Sequence, residues 1–149
     1  MKTLFLSILL AASIVSCKKD NNTTSKKVTC DKTVADIAGA YRLTKVEQVD
    51  FNTGQAVDVT ATESACILYG VFNLRADGTA TYMEVTACSG SGSGGWGLTN
   101  GSIIATSFAS GNGNYISGAS ITNWDCTNLI LITNWPSVKY NNRYTLTRY

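Results

Sequence analysis

The chain has 149 residues, with twelve Lys or Arg against ten Asp or Glu, no histidine and a formal net charge of +2. That balance supplies no basic surface of the kind phosphate binding demands, which argues against a nucleic-acid partner. Without histidine the commonest general base near neutral pH is missing, and with it Ser-His and Cys-His nucleophile pairs, so the chain reads as a non-enzyme.

The chain opens with a positive Met1-Lys2, a twelve-residue largely apolar run from Leu4 to Val15, and the small-residue box Ile14-Val15-Ser16-Cys17. A run this short falls below the roughly 20 residues a membrane-spanning helix needs, so it reads as a cleaved signal over residues 1–16. The box, and the Cys17-Lys18-Lys19-Asp20-Asn21 stretch that begins at its cysteine, resemble bacterial lipoprotein signals and the surface-export signal of some Gram-negative lipoproteins. The resemblance implies a diacylglyceryl thioether on Cys17, an amine acylated with a chain such as palmitate, and an outer-membrane location open to the cell surface. Each buried methylene adds about 0.8 kcal/mol, so several acyl chains on one residue make a permanent anchor.

Residues 17–35 then read as a lipid-anchored flexible stalk, because Lys18 to Lys32 is polar, basic and free of aromatics. Its lysines either touch anionic headgroups or simply keep a solvated linker extended. Residues 36–149 form one domain of about 110 residues, enough for a single core. Six basic and eight acidic side chains leave this part near neutral.

Thr33 to Ala38 suggests a turn of helix. Beyond it no apolar pattern of helical period continues for more than about two turns, while Val, Ile, Thr and Tyr alternate in short runs. Eight strands are expected: Gly39 to Val49, Ala65 to Leu74, Thr79 to Ala87, Gly95 to Thr99, Ser102 to Phe108, Asn114 to Thr122, Asn128 to Thr133 and Asn142 to Arg148. Asn52-Thr53-Gly54, Asp77-Gly78, Asn100-Gly101 and Gly111-Asn112-Gly113 carry turn chemistry, and Trp135-Pro136 ends the seventh strand. Short connections imply antiparallel neighbours. The expected fold is therefore all-β, an eight-stranded antiparallel up-and-down barrel, with a β-sandwich of the same strands as the rival.

With Cys17 committed to lipid, Cys30, Cys66, Cys88 and Cys126 remain, an even set for an oxidising envelope. If the Asp77-Gly78 hairpin places Leu74 opposite Thr79 or Ala80, continuing that register brings Cys66 opposite Cys88, which leaves Cys30 for Cys126. Zinc is the other use of four cysteines, but no pair has C-x-x-C spacing, so no metal and no cofactor is expected. Asp50-Phe51-Asn52-Thr53-Gly54 lacks the later acidic ligand of a calcium loop and reads as a β-turn. Ser89 to Gly95 lacks the Gly-Lys-Ser/Thr ending of a phosphate loop and reads as a flexible hairpin loop. Paired carboxylates remain formally open, for example Glu84 with Asp125 or Glu63, against the plainer reading that isolated carboxylates on strands are solvated.

Ile37 to Val46, with Gly39 and Tyr41, resembles the Gly-x-Trp opening of lipocalins, Tyr41 standing in the tryptophan's place. Cys66 through Phe72, Asp77-Gly78-Thr79 and Cys88, together with Asn128 to Ile132 and Tyr144 to Arg148, resemble bacterial lipocalin-like lipoproteins. The Thr-Asp-Tyr element of classical lipocalins is not evident. The resemblance implies that Arg143 or Arg148 covers Tyr41 at one barrel end, a structural cation–π lid.

Amphipathic rings suit a pocket mouth, and Trp96, Trp135, Tyr69 and Tyr82 are the candidate ligand-binding residues. Trp96 and Trp135 are the two least explained by strand packing. The sequence thus points to a membrane-anchored binding module for a small apolar or amphipathic ligand in the cup. The alternative is an interaction subunit of an envelope complex, its barrel solid and docking a protein or glycan; a third reading is an inhibitor with a rigid protruding loop. An apolar cavity of roughly 300 Å³ or more separates the first from the second.

Overall fold

The computed structural model describes residues 30–84, 88, 90–109, 112–133 and 139–149. The expected signal, Cys17, the stalk up to residue 29 and Trp135 lie outside them. Strand β1 (Gly39–Asp50) buries Tyr41, Leu43 and Val46 and exposes Arg42 and Thr44. A bulge between Leu43 and Lys45 resets the alternation so that Val46 also turns inward. The strands that follow are β2 (Ala56–Asp58), β3 (Val71–Leu74), β4 (Thr79–Met83), β5 (Gly92–Thr99), β6 (Ile103–Phe108), β7 (Ser120–Trp124), β8 (Asn128–Ile132) and β9 (Tyr140–Arg148).

Every pairing is antiparallel, the order is β2-β1-β3-β4-β5-β6-β7-β8-β9, and β9 pairs back onto β1. The sheet therefore closes on itself in a ring of eight strands. The ninth, β2, sits beside the far half of β1: β3 pairs with Gly39 to Arg42, whereas β2 pairs with Glu47 to Val49. Both expected architectures, barrel and sandwich, are compatible with this all-β ring. β2 and a 3₁₀ turn at Thr60–Thr62 occupy the stretch from Asp50 to Ser64 expected as loop.

Two expected strands are shorter than their apolar runs. Ala65–Leu68 is a helical turn, α2, started by Ser64, whose hydroxyl accepts from Ile67 N, and held by Tyr82, whose hydroxyl donates to Cys66 O at 3.2 Å. The stretch from Asn114 to Thr122 begins not as strand but in a second 3₁₀ turn, Asn112–Ile116. Its side chains do the work of a strand's backbone: Asn114 accepts from Phe108 N at 3.0 Å and donates to Phe108 O at 3.2 Å. Ser117 repeats this on Thr106, accepting from its N at 3.1 Å and donating to its O at 3.0 Å. With the edge of β6 satisfied by side chains, the backbone is free to fold inward and bury Ile116.

The glycine-rich stretch is also not the loose loop expected, since Gly92 to Gly95 lie in β5 between β4 and β6. Gly94 packs so closely on β6 that a Cβ would stand 1.9 Å from Ser107 O. The β5–β6 turn uses Asn100 (φ 52°) and Gly101 (φ 68°), the left-handed pair that a two-residue hairpin favours. β4 ends at Met83, and residues 85–87 of the longer strand expected lie outside the described set.

The described end of the expected stalk is tied to the ring. Cys30 is bonded to Cys126, Lys32 Nζ donates to Ile121 O at 3.1 Å, and Thr33 caps α1 (Val34–Ile37) by accepting from Asp36 N. The second disulfide joins Cys66 to Cys88. The hairpin register pairs Leu74 with Ala80, as one of the two expected registers has it, although Cys66 reaches Cys88 from α2 and not from a strand. Among the described residues no helix is long and apolar enough to cross a membrane.

Gly94→Ala is expected to cost about 1–3 kcal/mol by overpacking the β5–β6 contact. Gly97→Ala, with open space around its Cβ position, should be neutral or stabilising by about 0.5 kcal/mol. Urea denaturation of both variants checks the contrast. Replacing Cys30 and Cys126 by serine, which opens a 96-residue separation, is expected to cost about 5 kcal/mol against about 3 for Cys66 and Cys88 across 22 residues, read from the same denaturation curves.

Candidate functional site

Inside the ring, aromatic side chains meet one another. The Phe72 ring lies 4.7 Å from Tyr82 and 5.6 Å from Tyr115, centroid to centroid, and Tyr115 lies 5.2 Å from Tyr144. Phe108 joins the set 6.1 Å from Phe72. Such pairs contribute about 0.5–1.5 kcal/mol each beyond the area they bury. Tyr115 arrives on the second 3₁₀ turn, whose Gly113 has no room for a Cβ against Phe108 and Tyr82. Burial pushes the Tyr82 phenol up to about 12 and raises Tyr115 well above its ordinary value. The Tyr115 hydroxyl has no hydrogen-bond partner among the described residues.

The aromatic residues expected at a pocket mouth fall differently. Trp96 is only 6% exposed; its indole donates to Arg75 O at 2.7 Å and its backbone N to Gly78 O at 2.8 Å, clamping the β3–β4 turn. Tyr82 is fully buried. Of the described three, only Tyr69 presents its ring to solvent, at 61% exposure. Trp96 is therefore explained by packing, against the expectation, because its neighbours Gly95 and Gly97 leave the outer face bare while the indole fills the inner one.

At the end where β1 begins, Arg148 lies over two rings, 5.4 Å from the Tyr41 centroid and 4.8 Å from that of Trp124. Its Nη2 reaches Asp36 O at 2.6 Å, Ala38 O at 2.9 Å and the Tyr41 hydroxyl at 3.0 Å, and Tyr41 in turn donates to Ile37 O. The arginine thus ties α1 across the ring's end. Arg148 stands opposite Tyr41 in the β1–β9 register, whereas Arg143 stands opposite Glu47 and belongs elsewhere.

That other place is the outer face of the wall formed by β1, β9, β8 and β7. Lys45, Glu47, Arg143, Thr145, Ile130, Thr122 and Asn123 line a hollow of about 370 Å³. They face outward because Val46, Tyr144, Leu146, Leu131 and Ile121, next to them in the chain, are buried. Glu47 organises the hollow: its Oε2 is 2.8 Å from Arg143 Nε and its Oε1 2.8 Å from Lys45 Nζ. Those two hydrogen bonds, the arginine's first, hold the Glu47 carboxyl below its ordinary range, and Glu47 raises Arg143. The carboxylate is nearly covered, at 12% side-chain exposure, while the Lys45 and Arg143 side chains remain 43% and 34% exposed. A smaller hollow of about 210 Å³ at β5–β6 is lined by Gly95, Trp96, Gly97, Ala105, Thr106 and Ser107, so the candidate Trp96 borders it although its indole is buried.

Four aspartates serve the turns they sit in. Asp58 and Asp77 accept first from the Thr60 and Thr79 hydroxyls and then from the N–H groups of the same threonines, Asp50 and Asp125 first from backbone N–H groups two or three residues on, and these hydrogen bonds lower all four pKa values. Asp50 does so in the turn weighed as a calcium loop. Glu84 accepts from Gly90 N at 2.8 Å and lies with Cys66 and Cys88 inside 4.8 Å, but those sulfurs are bonded to each other and offer no thiolate. Compared with known proteins, the chain matches no family model, no curated protein and no solved structure.

Glu47 and the four aspartates have folded-state pKa values below their ordinary 4.5 and 3.8, so their contribution is present above that range and lost as pH falls through the depressed values. Tyr41, Tyr82, Tyr115 and Tyr144 are raised from 10.0, so theirs is present below pH 10 and lost as pH climbs towards about 12 and beyond. Stability against urea should therefore be flat across neutral pH and fall at both ends, with tyrosinate absorbance rising in step with alkaline unfolding. A stability maximum above pH 11 would contradict this assignment of the phenols.

Proposed function

We propose that the ring is an up-and-down barrel of the lipocalin-like kind, tethered to the outer membrane through acylated Cys17, and that it acts as an interaction module docking an envelope partner on its outer surface. The observation that carries this reading is the occupied interior. Phe72, Tyr82, Phe108, Tyr115 and Tyr144 meet in the volume where a small apolar ligand would sit. Interiors pack at close to crystal density, and a guest would have to displace rings that hold one another. The larger hollow, by contrast, lies outside the ring and is lined chiefly by charged and polar side chains.

A lipid anchor suits such a role, because a tethered module meets partners of the same envelope at high local concentration. The pinning of Cys30 to Cys126 fixes where the stalk would leave the domain.

Native mass spectrometry of the full chain extracted from its own membrane is expected to show the acylated protein with no stoichiometric apolar guest. An apolar fluorescent probe should find no saturable site. Phe72→Ala, which opens the interior at a cost of about 3–5 kcal/mol, should create one. A small apolar molecule retained at one per chain by the wild-type protein would replace this reading with that of a ligand carrier.

A further inference from the structure

Resting on the reading of an outer docking surface, we infer that the hollow around Glu47 and Arg143 is a binding site for a carboxylate-bearing sugar, such as a uronic acid unit of an acidic polysaccharide. Arg143 spends only its Nε on Glu47, and no other hydrogen bond engages its guanidinium among the described residues. Its two terminal nitrogens are therefore available, on a side chain already oriented by a nearly buried carboxylate. Such an edge pairs with a planar carboxylate through two parallel hydrogen bonds.

Charge sets the valence of the ligand. Lys45 and Arg143 share the one Glu47 carboxylate, which leaves a single positive charge in the hollow. A monoanion balances it, whereas a phosphate dianion would be left undercompensated.

The polar lining fits a polyol. Asn123 is exposed, and no hydrogen bond engages its amide or the Thr145 hydroxyl among the described residues, so both can donate to and accept from sugar hydroxyls. Half-buried Ile130 gives an apolar floor for the C–H face of a ring. A volume of about 370 Å³ lies within the usual range for a small-molecule site.

A peptide strand is the less suited occupant. Strand addition needs an open sheet edge, and here β9 lies between β1 and β8, and β8 between β7 and β9. Recognition must come from side chains, and the polar ones present are hydroxyl, amide, ammonium and guanidinium beside the one paired carboxylate.

The test is calorimetric titration of the full-length chain in detergent with a uronic-acid oligosaccharide, its carboxyl-reduced neutral counterpart, a sulfated oligosaccharide and an acidic peptide. The uronate oligomer is expected to bind, weakening with added salt, and the neutral counterpart to bind at least about tenfold more weakly. Arg143→Gln should weaken the uronate about tenfold to a hundredfold. Because Arg143 also braces Glu47, Asn123→Ala serves as the second variant: it leaves the ion pairs intact and should weaken the uronate several-fold. Equal binding of the neutral sugar, preference for the sulfated sugar or the peptide, or an uronate affinity indifferent to both variants would overturn the inference. Those outcomes leave the interaction module standing, whereas an apolar guest in the interior would remove the module and leave the titration of the hollow unaffected.

Discussion

The pairing of β9 with β1 is the constraint on which the rest of the molecule depends. It runs from Tyr41 opposite Arg148 to Asp50 opposite Tyr140, joining the first strand to the last across about a hundred residues. Such a contact is entropically costly to close, and it forms because its inner side chains, Tyr41, Leu43, Val46, Tyr144 and Leu146, are buried by the closure itself. Ring closure also pairs the edges that β1 and β9 would otherwise present to other chains. One register then sets Arg148 over Tyr41 at the end where β1 begins and Arg143 against Glu47 on the outer wall.

Two segments abandon the strand conformation, and one of them adds an aromatic ring to the interior. α2 packs against β1, and the Asn112–Ile116 turn carries Tyr115 between Phe72 and Tyr144. Side chains engage backbone groups at both departures. Asn114 and Ser117 replace the missing ladder on β6, and Tyr82 holds the first turn of α2 by its carbonyl. Tyr82 so connects packing to polarity: its ring belongs to the aromatic set and its hydroxyl to the backbone of Cys66.

The outer wall follows from the same alternation that fills the core. Each inward apolar residue on β9 and β1 commits its neighbour to the outside, and the neighbours of Val46, Tyr144 and Leu146 are Glu47, Arg143 and Thr145. A covered carboxylate between two partly exposed cations gives that wall a fixed charge arrangement in place of a freely solvated one.

Much of this was legible in the chain. Asp77-Gly78 and Asn100-Gly101 specify tight turns by local chemistry, because few residues other than glycine and asparagine adopt positive φ without strain, and those turns fix the registers of β3–β4 and β5–β6. That register in turn pointed Cys66 towards Cys88, and the remaining cysteines pair as arithmetic required. What sequence could not decide is which apolar runs would leave the sheet. The runs at Ala65 and Asn114 look like strands because periodicity reports burial and not hydrogen-bond partners, and whether Asn114 acts as a peptide group depends on β6 lying beside it. Likewise Trp96 read as a spare aromatic until the carbonyl of Arg75, 21 residues away, was placed against its indole. The Glu47–Arg143 pair, 96 residues apart, belongs to the tertiary structure alone, because only ring closure sets the first strand beside the last.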